Sequence, residues 1–119
     1  MTHSAFDQAK WEQALLAEAK RDLVFVFNIA AGAFGGPRPV PTEAEIPVLL
    51  QRVATSLLAE GCVAGFGNAS TKDISVPKEL QVAPGRLAES VARFYESEPK
   101  KAKFLVFVHQ ANAANIRDA

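Results

Sequence analysis

The residues able to do chemistry are few and scattered along this chain. His3 and His109 are the only histidines, stand at opposite ends, and have no metal-ligand spacing. Cys62 is the single cysteine. A reactive thiol needs an electropositive, accessible setting; beside Gly61 and opening an apolar run, Cys62 reads instead as a small core residue. Ser56, Ser70, Ser75 and Ser90 stand in no nucleophile-elbow context. Glu43 and Glu45 lie two positions apart, so on a helix they diverge and serve as cap and dipole residues rather than an acid/base pair. Gly32-Ala33-Phe34-Gly35-Gly36 and Gly65-Phe66-Gly67 match neither the phosphate-loop pattern with its lysine nor a dinucleotide fingerprint. Both read as turns that need positive φ. The sequence therefore predicts no catalytic residue, no cofactor and no metal site.

The elements that would position these residues belong to one domain, residues 1–119. Thirteen basic residues balance thirteen acidic ones. Neither the basic surplus of a dedicated nucleic-acid binder nor the acidic surplus of a nucleic-acid mimic is present, and the low net charge permits a homodimer. A lone cysteine fits a reducing compartment. The start, MTHSAFDQAKWEQ, lacks a basic region followed by an apolar run. The longest apolar stretch, Leu23 to Phe34, falls short of the roughly 20 residues of a membrane span. The expectation is a cytoplasmic protein without a membrane partner.

Ser4 is the expected cap of a first helix running to about Arg21, with Asp7 near its positive end and Phe6, Trp11, Leu15 and Leu16 on its apolar stripe. Leu23 to Phe34 opens with β-formers and continues with small residues, so periodicity leaves helix and strand both open. Gly35 to Pro41 is an extended loop because each proline disfavours helix in the residue before it. Thr42 and Glu45 form a capping box for a helix whose apolar positions are Ile46, Leu49, Leu50, Val53, Leu57 and Leu58, with Pro47 in its first turn and Gly61 just after its end. Cys62 to Phe66 is a strand, Gly67 to Asp73 a polar turn, and Ile74 to Val76 a brief strand. A helix from about Pro84 buries Leu87, Val91 and Phe94 and ends at Pro99; Phe104 to His109 is a returning strand, and residues 110–119 read as a frayed tail.

Three pieces carry a resemblance: AKRDLVFVFNIAAGAF as a second helix, VLLQRVATSLLAEGCVAGFGN as a third helix running into a wing, and KFLVFVHQANA as the returning wing strand. Together they resemble small bacterial proteins with a winged-helix-like core. The resemblance implies an α+β fold of three N-terminal helices followed by a two- or three-stranded antiparallel wing with an inserted helix. If Leu23 to Ile29 is instead a strand, the order becomes a ferredoxin-like βαββαβ sheet with an extra N-terminal helix.

The expected role is a non-catalytic protein-interaction module. The resemblance adds a bacterial toxin as a candidate partner, which would make this an immunity protein. The predicted partner surface is the Phe34 to Arg38 loop with its exposed aromatic, the wing turn with Asn68, Lys72 and Asp73, and Tyr95, because aromatic and Arg anchors dominate such interfaces. The alternative is a winged-helix DNA-binding regulator using Gln51, Arg52, Thr55 and Lys72. Acidic Glu43, Glu45 and Glu60 on the same helix oppose an approach to phosphates, so nucleic acid is the weaker partner. A third reading is a small-ligand-binding or enzyme subunit on the ferredoxin-like sheet.

Overall fold

The computed structural model describes residues 6–119; Ser4 and His3 lie outside them. The first helix, α1 (Gln8–Ala19), is capped by Asp7, whose Oδ1 accepts the Lys10 N–H at 3.1 Å. Trp11, Leu15 and Ala19 bury its inner face. The ambiguous apolar run divides. Val24–Phe25 is a short strand, β1, and Val26–Ala30 is a short helix, α2. Asn28 decides the boundary, because its Oδ1 accepts the Phe25 N–H at 3.0 Å and caps a helix that begins there. Neither a full second helix nor a strand to Ile29 forms.

Helix α3 (Ile46–Ala59) follows the expected spacing, with Ile46, Leu50, Val53, Ala54 and Leu57 buried and Pro47 in its first turn. The Thr42 N–H donates to Glu45 Oε1 at 2.8 Å, and the Ile46 N–H to the Thr42 carbonyl at 3.1 Å, so a first turn forms ahead of the regular helix. Gly61 adopts φ 92° and releases the chain into β2 (Cys62–Gly67). Strand β3 (Asp73–Val76) leads through 3-10 turns at Lys78–Leu80 and Pro84–Arg86 to α4 (Leu87–Ser97). Pro99 opens a further short helix, α5 (Pro99–Ala102), instead of ending the helical region. Its missing N–H costs nothing in a first turn. Strands β4 (Leu105–His109) and β5 (Asn115–Asp118) complete the chain.

The protein is α+β, with helices against a five-stranded mixed sheet of order β1-β4-β2-β3-β5. Strand β4 pairs antiparallel with β2, Cys62 opposite His109 and Phe66 opposite Leu105. It also pairs antiparallel with β1, Val24 opposite Phe107. The expected wing is thus a larger sheet. In the βαββαβ reading β1 should be a full strand, whereas it is a two-residue edge. The segment expected to fray forms β5, because the open edge of β3 supplies parallel partners from Asp73–Asn115 to Val76–Asp118.

Trp11, Leu50, Leu57, Phe94, Tyr95 and Phe107 are among the core residues between helices and sheet. A second, smaller cluster of Leu23, Ile74, Val106 and Val108 fills the other sheet face. Gly65 and Gly67 let the β2–β3 hairpin curl onto it. A Cβ on Gly65 would lie 2.7 Å from the Ser75 carbonyl oxygen, and one on Gly67 would lie 2.8 Å from a Val106 methyl. Positive φ falls on Gly32, Gly35 and Gly61, so Gly65 and Gly67 serve close approach rather than a left-handed turn. Phe66 between them is half-buried, edge-on to Phe94 at 6.2 Å, and offers no loop aromatic.

Candidate functional site

The loop after α2 is built around two touching glycines. The Gly32 N–H donates to the Ile29 carbonyl at 3.1 Å, and the Gly36 N–H returns to the Gly32 carbonyl at 3.0 Å. A Cβ on Gly36 would lie 2.6 Å from Gly32 Cα, so Gly36 must be glycine for the loop to close. Three further bonds fix it. Trp11 Nε1–H donates to the Ala33 carbonyl at 2.8 Å. Arg38 Nη1 donates to the carbonyls of Ala31 at 3.2 Å and Pro37 at 3.1 Å. A Cβ on Gly32 would meet Arg38 Nη1 at 2.2 Å, so the guanidinium occupies the space that glycine leaves.

At the tip stands Phe34, 41% exposed, with φ 61°. A side chain in the left-handed region costs roughly 1–2 kcal/mol. The loop therefore holds an aromatic at a position where folding alone favours glycine, and it holds it in a fixed geometry. Between the loop and the start of α1 lies a cleft of about 450 Å³ lined by Phe6, Asp7, Lys10, Trp11, Phe34 and Arg38. Phe6 packs edge-on against Trp11, with ring centroids 5.5 Å apart.

The other expected partner residues are placed differently. Tyr95 is 2% exposed and belongs to the core. Its hydroxyl donates to Glu43 Oε2 at 2.7 Å, and Lys103 Nζ donates to Glu43 Oε1 at 3.0 Å. These two bonds, that of Tyr95 first, hold the Glu43 carboxyl below its ordinary range, while burial and the carboxylate raise the Tyr95 phenol. The group ties the turn ahead of α3 to α4 and to the end of α5. In the turn between β2 and β3, Asn68 Oδ1 accepts the N–H groups of Ser70 at 2.9 Å and Thr71 at 3.1 Å. Lys72, at φ 61°, donates from Nζ to Asp22 Oδ1 at 2.9 Å and to the Ala69 carbonyl at 3.0 Å. That bond and the Leu23 N–H lower the Asp22 carboxyl. Asp73 is half-buried at the start of β3, and its carbonyl accepts the Asn68 N–H at 3.0 Å. The Asn68 side-chain oxygen is spent on closing the turn, and Lys72 both closes it and docks it to the α1–β1 junction.

Gln51, Arg52 and Thr55 share an exposed face of α3, where the Thr55 hydroxyl donates to the Gln51 carbonyl at 2.8 Å. Lys72 is held elsewhere by Asp22, so the four residues of the DNA reading do not form one array. Cys62 is buried, and desolvation pushes its thiol up to about 11. Such a thiol is protonated at neutral pH and a poor nucleophile. His109 Nδ1 accepts the Ala111 N–H at 3.1 Å, a structural role.

Sequence reasoning brought Phe34 and Arg38 together but missed Phe6, Asp7, Lys10 and Trp11 as the opposite wall of the cleft. It also missed an exposed aromatic cluster. Phe25 stacks on Phe27 at 4.8 Å, and Phe27 meets Phe104 edge-on at 6.3 Å, with Phe104 61% exposed. Leu23 to Phe34 leaves helix and strand both open, and Phe104 to His109 reads as a strand apolar on both faces, so neither pattern tells which side chains face outward.

No family model, curated protein or solved structure matches this chain.

Proposed function

We propose that this protein is a non-catalytic protein-recognition module that meets its partner through the Phe34 loop. One observation carries the reading: an aromatic in left-handed backbone, exposed at the tip of a loop wired to Trp11 and Arg38. Strain of this kind persists only where the surroundings enforce it, and it clusters at ligand-contacting sites. A loop fixed before binding also loses little conformational freedom on association. An immunity protein facing a toxin is a special case of this role, tested by whether a toxin gene adjoins this one.

The test is affinity capture from the source cell with wild type, Phe34→Gly and Arg52→Ala as baits. The expected result is a protein retained by wild type and Arg52→Ala and lost with Phe34→Gly. Equal capture by all three baits, or no protein captured by any, refutes the proposal. The DNA reading draws on the shared exposed face of Gln51, Arg52 and Thr55. It requires duplex binding at low salt that weakens steeply as salt is added.

A further inference from the structure

We infer that the cleft beside Phe34 is a docking subsite for an acidic side chain next to an apolar residue in an extended peptide. The inference rests on the protein-recognition reading and names the chemistry of that partner. Two cations line the cleft, Lys10 from the first turn of α1 and Arg38 from the loop, and both are exposed. Neither forms an ion pair among the described residues. The guanidinium is already oriented. Both Nη1 hydrogens are engaged by the carbonyls of Ala31 and Pro37, at 3.2 and 3.1 Å. The Nε–Nη2 edge of the fork has no partner among the described residues. That edge carries two parallel N–H groups matched to a carboxylate.

The remaining wall is apolar and aromatic, with Phe6, Trp11 and Phe34 around a space of about 450 Å³. An acidic group beside an apolar one matches both parts. Asp7 also lines the cleft, with Oδ1 committed to the Lys10 N–H at 3.1 Å. Its charge opposes an incoming carboxylate.

The test titrates ¹⁵N-labelled protein with acetyl-Gly-Phe-Asp-Asp-Phe-Gly-amide, which has no free terminal carboxylate, and with the same peptide carrying Asn for Asp. Spectra are recorded in millimolar peptide at low salt. The acidic peptide is expected to shift the amides of Lys10, Phe34, Gly35 and Gly36 and the Arg38 Nε–H, and the Asn peptide is expected not to. Arg38→Gln should weaken binding about tenfold, and Asp7→Asn, which keeps the helix cap, should tighten it. Equal shifts from the two peptides, shifts located elsewhere, or no shift overturn the inference. So does acetate alone reproducing the whole effect, because the site would then bind anions without recognising a peptide. If both peptides fail while Phe34→Gly still loses the captured protein, this inference falls and the proposed function stands.

Discussion

At Phe34 the usual order of Gly and Ala should invert. In most folded positions Ala is the more stabilising of the two, since Gly gives the unfolded chain extra freedom of roughly 0.4–1 kcal/mol. Phe34 sits at φ 61°, where a Cβ costs roughly 1–2 kcal/mol and glycine nothing. Phe34→Ala and Phe34→Gly lose the same partly buried ring, 41% exposed in the wild type, so that loss cancels between them. The backbone difference remains: Gly above Ala by about 1 kcal/mol, or roughly 4 °C in Tm for a chain of this size. Urea unfolding of the two variants measures it, provided the slopes agree. Gln51, exposed on α3, supplies the control, where Ala should exceed Gly by about 1 kcal/mol. If Ala equals or exceeds Gly at position 34 while the control behaves normally, the residue is not strained, and the argument that the loop keeps its aromatic for binding loses its basis. Both variants remove the ring, so both should abolish capture of a partner whatever their stability.

Gly65→Ala places a methyl 2.7 Å from the Ser75 carbonyl oxygen and should cost about 2 kcal/mol in urea unfolding, whereas Gly85→Ala, with nothing within 4 Å and no positive φ, should stabilise by roughly 0.4–1 kcal/mol. The Glu43 carboxyl is held below its ordinary 4.5, so its contribution is present above that pH and is lost as pH falls through the lower folded value. Wild type should therefore exceed Tyr95→Phe in stability at neutral pH, and the gap should narrow on acidification below 4.5; a gap unchanged in acid would show that the hydroxyl acts without the carboxylate. With its thiol pushed up to about 11, Cys62 should react with iodoacetamide far more slowly in native protein than in urea at pH 8, and equal rates would contradict its burial.

The helix α3 was legible because one stretch states its whole rule. Ile46, Leu50, Val53 and Leu57 recur at helical spacing and are buried, and Gly61 takes the left-handed position after the end. The β2–β4 pairing followed from two apolar runs of matching length. Where the sequence failed, the deciding partner lay far along the chain or was a single side chain. Leu23 to Ile29 satisfies either conformation locally, and the Asn28 side chain on the Phe25 N–H divides it into a strand at Val24–Phe25 and a helix from Val26. Nothing in Asn115-Ile116-Arg117-Asp118 marks a strand, and its exposed residues are ordered by the open edge of β3.

The candidate site shows the same division at closer range. Phe34 and Arg38 share one loop, so a sequence can place them together. The wall that makes a cleft of them comes from α1, brought there by the bond from Trp11 Nε1 to the Ala33 carbonyl at 2.8 Å. The glycines around Phe34 announce a turn, and the natural inference is that they absorb its left-handed angles. Gly32 and Gly35 do so, at φ 69° and 85°, yet Phe34 between them is left-handed as well. Gly36 is spent on close contact with Gly32 instead. A glycine at the tip would have cost the backbone least. The aromatic stands where the fold is worse for it, and recognition of a partner gives a reason for it to be there.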